Sequence, residues 1–108
     1  MLPRLAFLAT VAVLTLAAPA IAKDARCFTT DDGYYDCDFE PLGDGSFEIT
    51  AEGYPSFQLV MDSPGVAFGY GRYEPAGNFV ALPGSYLRNE QDGACWDNDE
   101  TATQICAW

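Results

Sequence analysis

Residues 31–73 read DDGYYDCDFEPLGDGSFEITAEGYPSFQLVMDSPGVAFGYGRY, and two rhythms run through them. The first is punctuation. DDG, LGDG, EGYP and SPG in this stretch, then EPAG, LPG and QDG beyond it, return at the steady beat that separates short strands in all-β domains. The second is alternation: Tyr35, Cys37 and Phe39 are interleaved with Asp36 and Asp38, and Phe57, Leu59 and Met61 with Gln58 and Asp62. Period two is the signature of a strand with one face turned to a core. Residues 66–71 repeat it, with Val66, Phe68 and Tyr70 on one face and Ala67, Gly69 and Gly71 on the other. The expectation is that Phe68 joins Phe57 and Trp96 in the core, while the glycines allow a bend or close packing. No stretch after residue 22 carries a helical period. The fold class expected is all-β: a small, mostly antiparallel barrel or sandwich of about seven or eight short strands in up-and-down order.

The chain opens with MLPR, continues with the apolar run LAFLATVAVLTLAAPA and reaches Ala20-Ile21-Ala22. A basic start, an apolar stretch and a small-x-small site read as a secretory signal peptide over residues 1–22. The run falls short of the roughly 20 residues a membrane-spanning helix needs, and Pro19 interrupts its end. A lipid anchor would need cysteine directly after cleavage, where this chain has KDAR before Cys27. The domain expected is therefore residues 23–108, periplasmic or secreted, with no membrane insertion once the leader is removed. A chain of that size buries only about 60–65% of its extended surface, so covalent staples are expected.

Four cysteines carry that role. The spacings Cys27 to Cys37 and Cys95 to Cys106, with no histidine in the chain, fit neither the close ligand pairs of zinc and iron–sulfur sites nor the C-x-x-C of redox motifs. In an exported chain they most simply form two disulfides, and the local pairings Cys27–Cys37 and Cys95–Cys106 are expected, each closing one short loop. Such loops stabilise by about 2.5–3 kcal/mol each in the loop-entropy picture. Trp96 is expected to cover the second disulfide.

Composition excludes several functions. Sixteen acids face only Lys23, Arg26, Arg72 and Arg88 after residue 22, so nucleic acid, which is held by clustered Lys and Arg, is not an expected partner. Without histidine, serine and cysteine triads lose their usual base. A domain this small has little room for a substrate cavity, so no enzyme activity and no cofactor are expected. An EF-hand begun at Asp97 would put Ala102 where glycine is required and Trp108 where the bidentate glutamate belongs. An irregular calcium cage from Asp31, Asp32, Asp36 and Asp38 is weighed against solvated turn acids, and no metal site is assigned. What remains is surface binding. A cationic envelope or extracellular protein suits the charge. The alternative is a glycan- or calcium-binding envelope protein, with exposed aromatics such as Tyr34, Tyr73 and Trp108 stacking on sugar.

The signal peptide, YYDCDF near the mature start and SPGVAFGY in mid-chain resemble periplasmic inhibitors of c-type lysozyme, and the CW…ICAW ending resembles small exported bacterial proteins more generally. The resemblance implies a disulfide-bearing β-barrel whose small-residue loop inserts a serine into the lysozyme cleft. By position Ser63 matches that serine, and Gly65, Ala67 and Tyr70 the loop around it. The lysine that joins the serine in that family has no counterpart in NFVALPGSY, which offers Gly84 but no lysine. Local chemistry singles out the same place, because Pro64-Gly65 forces a tight turn and presents Asp62 and Ser63 at a tip. The candidate binding residues are Asp62, Ser63, Gly65 and Tyr70, with Tyr70 expected beside the tip.

Overall fold

The computed structural model describes residues 22–108; the leader expected over residues 1–22 lies, apart from Ala22, outside them. Among the described residues every regular element is a strand: β1 (Lys23–Thr29), β2 (Gly33–Gly43), β3 (Ser46–Thr50), β4 (Ser56–Ser63), β5 (Val66–Arg72), β6 (Val80–Ala81), β7 (Tyr86–Arg88), β8 (Cys95–Asn98) and β9 (Gln104–Ala107). Each successive turn cluster in the sequence falls between two of these strands. All pairings are antiparallel. Eight strands close a barrel in the order β1-β2-β3-β4-β5-β7-β8-β9, with β9 returning to β1 and β6 pairing outside the ring against the end of β5. Closure leaves the ring without an unpaired edge, the usual hazard of a small sheet.

Both disulfides have the expected partners, Cys27–Cys37 and Cys95–Cys106. They lie on opposite sides of the barrel wall. Cys27 and Cys37 belong to the core with Tyr35, Ile49, Phe57, Leu59 and Ile105. Cys95 and Cys106 face directly across β8 and β9 and are buried without joining that core. Trp96 is in the core as expected but does not cover the second disulfide. Neighbouring strand residues point to opposite faces, so Trp96 turns inward while Cys95 turns outward. There Cys106 sits opposite Phe28 on β1.

Strand β5 corrects one expectation. Its inward face is Ala67, Gly69 and Gly71, all buried, whereas Phe68 on the other face is 43% exposed. The reason is the space inside the ring. A Cβ on Gly69 would lie 2.8 Å from Tyr86 Cδ2, and one on Gly71 would lie 2.9 Å from the Tyr73 ring. Aromatic rings from the β5–β7 segment thus fill the volume that larger β5 side chains would need. Outside, Phe68 pairs with Val60 and Val66 with Leu87, making an apolar strip across β4, β5 and β7.

Gly69→Ala tests this packing. The added methyl meets the body of a buried ring, and overpacking of that kind costs about 1–3 kcal/mol. Chemical unfolding should show a loss in that range with an unchanged slope, and wild-type stability would mean that Tyr86 does not occupy this space.

Candidate functional site

The expected tip exists. Asp62 and Ser63 are exposed at the end of β4, Ser63 pairs with Val66 across a two-residue Pro64-Gly65 turn, and Gly65 has φ +76, the left-handed conformation that favours glycine at this turn position. Tyr70 is not beside this tip. It lies opposite Gln58 and Ala81, five residues from Gly65, or about 16 Å along an extended strand. So tight a turn makes β5 leave the tip at once. Ala67 points into the barrel and lines no surface.

A different residue comes to the tip. Arg88, at the end of β7, lines the same depression of ≈ 390 Å³ as Asp62, Ser63 and Gly65, and its backbone N–H donates to Gly65 O at 3.0 Å. Its guanidinium lies 4.6 Å from the centre of the Trp96 ring, a cation–π arrangement that holds the charge at this end of the barrel. Nothing in the local sequence signals that arrangement, since it depends on β7 docking beside the start of β5.

The other end of the barrel gathers tyrosines. Tyr54, on the β3–β4 loop, stacks on Tyr35 with centroids 4.2 Å apart and planes 4° from parallel, and the Tyr73 and Phe57 rings meet nearly at right angles with centroids 6.1 Å apart. Tyr35 is 6% exposed, and its hydroxyl has no hydrogen-bond partner among the described residues. Burial, reinforced by the Asp32 carboxylate and by Tyr54, pushes its pKa up to about 12. Burial, Tyr86 and Asp31 likewise raise that of Tyr73. Tyr34 and Trp108 form a second, outer aromatic pair at 5.8 Å, and Tyr34, Tyr73 and Trp108 are exposed as expected.

The acids divide into two groups. In the C-terminal half the aspartates around β8 are structural: Asp97 accepts from Asn89 Nδ2 and Gln104 Nε2, Asp99 accepts from the Ser85 N–H, and Asp92 accepts from the Ala94 N–H and Trp108 Nε1. Asn98, which is buried, donates from Nδ2 to Pro83 O and accepts at Oδ1 from the N–H groups of Glu100 and Thr101. In the N-terminal half most acids face water, while Glu48 accepts from Gln58 Nε2 at 2.7 Å and Asp32 from Thr29 Oγ1 at 3.4 Å. Asp24 lies opposite Asp38, and Glu40 opposite Glu48, across β1, β2 and β3. Asp36 is the carboxylate of the single ion pair among the described residues, with Arg26 at 3.9 Å. The four acids weighed as a calcium cage do not converge: Asp31 and Asp32 sit on the β1–β2 turn, Asp36 and Asp38 point outward from β2, and no group of three or more such side chains among the described residues could hold a metal.

Compared with protein-family models, curated proteins and solved structures, the chain matches none of them.

The buried Tyr35 hydroxyl carries a pH prediction. Its folded pKa is raised above the ordinary value of 10.0, so the folded state favours the neutral phenol. This contribution is fully present below about pH 10 and is lost as pH rises through about 12. Tyr35→Phe should remove that alkaline loss and raise stability near neutrality by about 1 kcal/mol, the lower end of the cost of an unpartnered buried polar group. Urea unfolding of both forms from neutral to alkaline pH checks this. Parallel pH profiles, or a less stable Tyr35→Phe, would contradict it.

Proposed function

We propose that this chain is an exported, non-enzymatic binding domain for a cationic protein. Two disulfides fit an oxidising compartment. One observation carries the reading: sixteen acids meet a single ion pair among the described residues. The three described arginines are all placed over aromatic rings, Arg26 over Tyr34, Arg72 over Phe79 and Arg88 over Trp96. The negative surface is therefore left for a charge from outside the molecule. Complementary charge on a partner raises the encounter rate and makes it sensitive to salt.

In the inhibitor-like version of this reading the partner is a c-type lysozyme, and the turn at Ser63 enters its cleft. Arg88 then takes the place of the missing lysine, because it shares the depression with Ser63. A second reading, recognition of glycan, draws on the exposed stack of Tyr34 and Trp108, since such rings offer an apolar face to a sugar.

Capture from an envelope extract separates the two. Cationic proteins should be retained at low salt and released at high salt, whereas glycan held by ring stacking should be indifferent to salt. For the inhibitor-like version, lysozyme activity is titrated with wild type, Ser63→Arg and Arg88→Ala. The expected result is inhibition by wild type that both variants weaken. No inhibition at high micromolar protein, or equal inhibition by all three, would remove the Ser63 loop and leave the general cationic-partner reading to the extract experiment.

A further inference from the structure

We propose that the cleft between the β3–β4 loop and the end of β5 is a receptor for one basic side chain, ammonium or guanidinium, of a cationic partner; this rests on the reading above and gives it a site. The cleft encloses ≈ 510 Å³ and is walled by Tyr54 and Tyr73, with Glu52 and Glu74 alongside. That volume suits a side chain or a short peptide segment. It lies at the opposite end of β4 from Ser63, about 23 Å away along the strand.

Three features point to a cation. Both tyrosine rings are braced from behind by buried aromatics, Tyr54 by Tyr35 and Tyr73 by Phe57, yet they remain 41% and 57% exposed. Rings held this way offer the cleft aromatic surface with little ordering left to do, and such surface attracts ammonium and guanidinium groups. Glu52 and Glu74 make no ion pair and no side-chain hydrogen bond among the described residues, so two carboxylates stand beside the rings uncommitted. The cleft's own cation does not neutralise them. Arg72 is drawn to Phe79, 4.8 Å from its ring centre, and donates to Ser56 Oγ at 3.4 Å. A neutral sugar can stack on the rings but gains no net Coulomb energy from the two carboxylates, whereas a basic side chain gains from both.

The test is titration of the 15N-labelled protein with pentalysine at low salt, followed by amide chemical shifts, with a neutral trisaccharide in a parallel series. Saturable shifts confined to residues 52–56 and 72–74 are expected. Glu52→Gln/Glu74→Gln and, separately, Tyr54→Leu should each weaken binding about tenfold, the scale of one desolvated cation–π or charge contact. The glutamine pair removes only charge, so it keeps the proposal testable if Tyr54→Leu disturbs folding. Shifts spread over the outer face of β1–β3, with the glutamine pair binding like wild type, would overturn this site and leave the cationic-partner reading standing. No binding of pentalysine at all would overturn both. Shifts of the cleft by trisaccharide alone would overturn the cation assignment.

Discussion

Closure of the ring between the first and last strands is the constraint on which everything else rests. Cys27, Phe28 and Thr29 of β1 lie opposite Ala107, Cys106 and Ile105 of β9, and Arg26 and Trp108 exchange backbone hydrogen bonds at 3.2 and 2.9 Å beyond them. This pairing joins residues nearly the full domain apart, so its loop-closure cost comes before its contacts reward it. The disulfides stand on either side of it: Cys27–Cys37 fixes β1 to β2, and Cys95–Cys106 fixes β8 to β9. The seam therefore joins two ready-made hairpins, which is how a domain with a small core keeps a closed sheet. Were the seam open, β1 and β9 would present edges, and the Phe28 position opposite Cys106 would lose its neighbour.

Much of this architecture was legible because it is local. Turn clusters, period-two alternation and the short cysteine spacings each report on residues close in sequence, and the strands and disulfides follow them. Strand β5 shows where such reasoning stops. Alternation in VAFGYGRY separates two faces without saying which looks inward, and size pointed to Val66, Phe68 and Tyr70. The deciding facts lie elsewhere, in the buried Tyr86 ring, which occupies the interior against Gly69, and in the exposed Tyr73 ring, which lies against Gly71. Trp96 failed in its second role for a related reason, since a strand residue cannot share a face with its neighbour. At the candidate site, the Pro64-Gly65 tip was readable from turn chemistry, but the approach of Arg88 and the distance of Tyr70 depend on strand docking and length. The tyrosine cleft was invisible for the same reason, as EGYP and RYEP meet only through the register of β4 with β5.

The barrel wall is chemically two-sided. Across β1, β2 and β3 the outer face carries Asp24 opposite Asp38 and Glu40 opposite Glu48. Like charges placed directly across strands are unfavourable. Across β4, β5 and β7 the outer face carries Val60 beside Phe68 and Val66 beside Leu87. A fold selected for its own stability alone has no use for the first arrangement. In the proposed role, as the surface of a domain that meets a cationic protein, it has one, because the partner's charges would relieve the repulsion on contact and draw the partner in beforehand. Asp92, Asp97 and Asp99, which hydrogen-bond internally, lie outside this face and serve the loops around β8, whereas on the face itself Glu48 accepts from Gln58 Nε2.

Most of this negative charge has no ion-pair partner among the described residues. The most direct measurement is thermal unfolding as a function of sodium chloride, between about 10 mM and 150 mM, where the screening length falls from about 30 Å to about 8 Å. The midpoint should climb steadily with salt, and climb less in Asp38→Asn/Glu48→Gln, which removes one member of each opposed pair. A midpoint indifferent to salt, or one that falls, would mean that the acids are balanced inside the protein and that the charge calls for no partner.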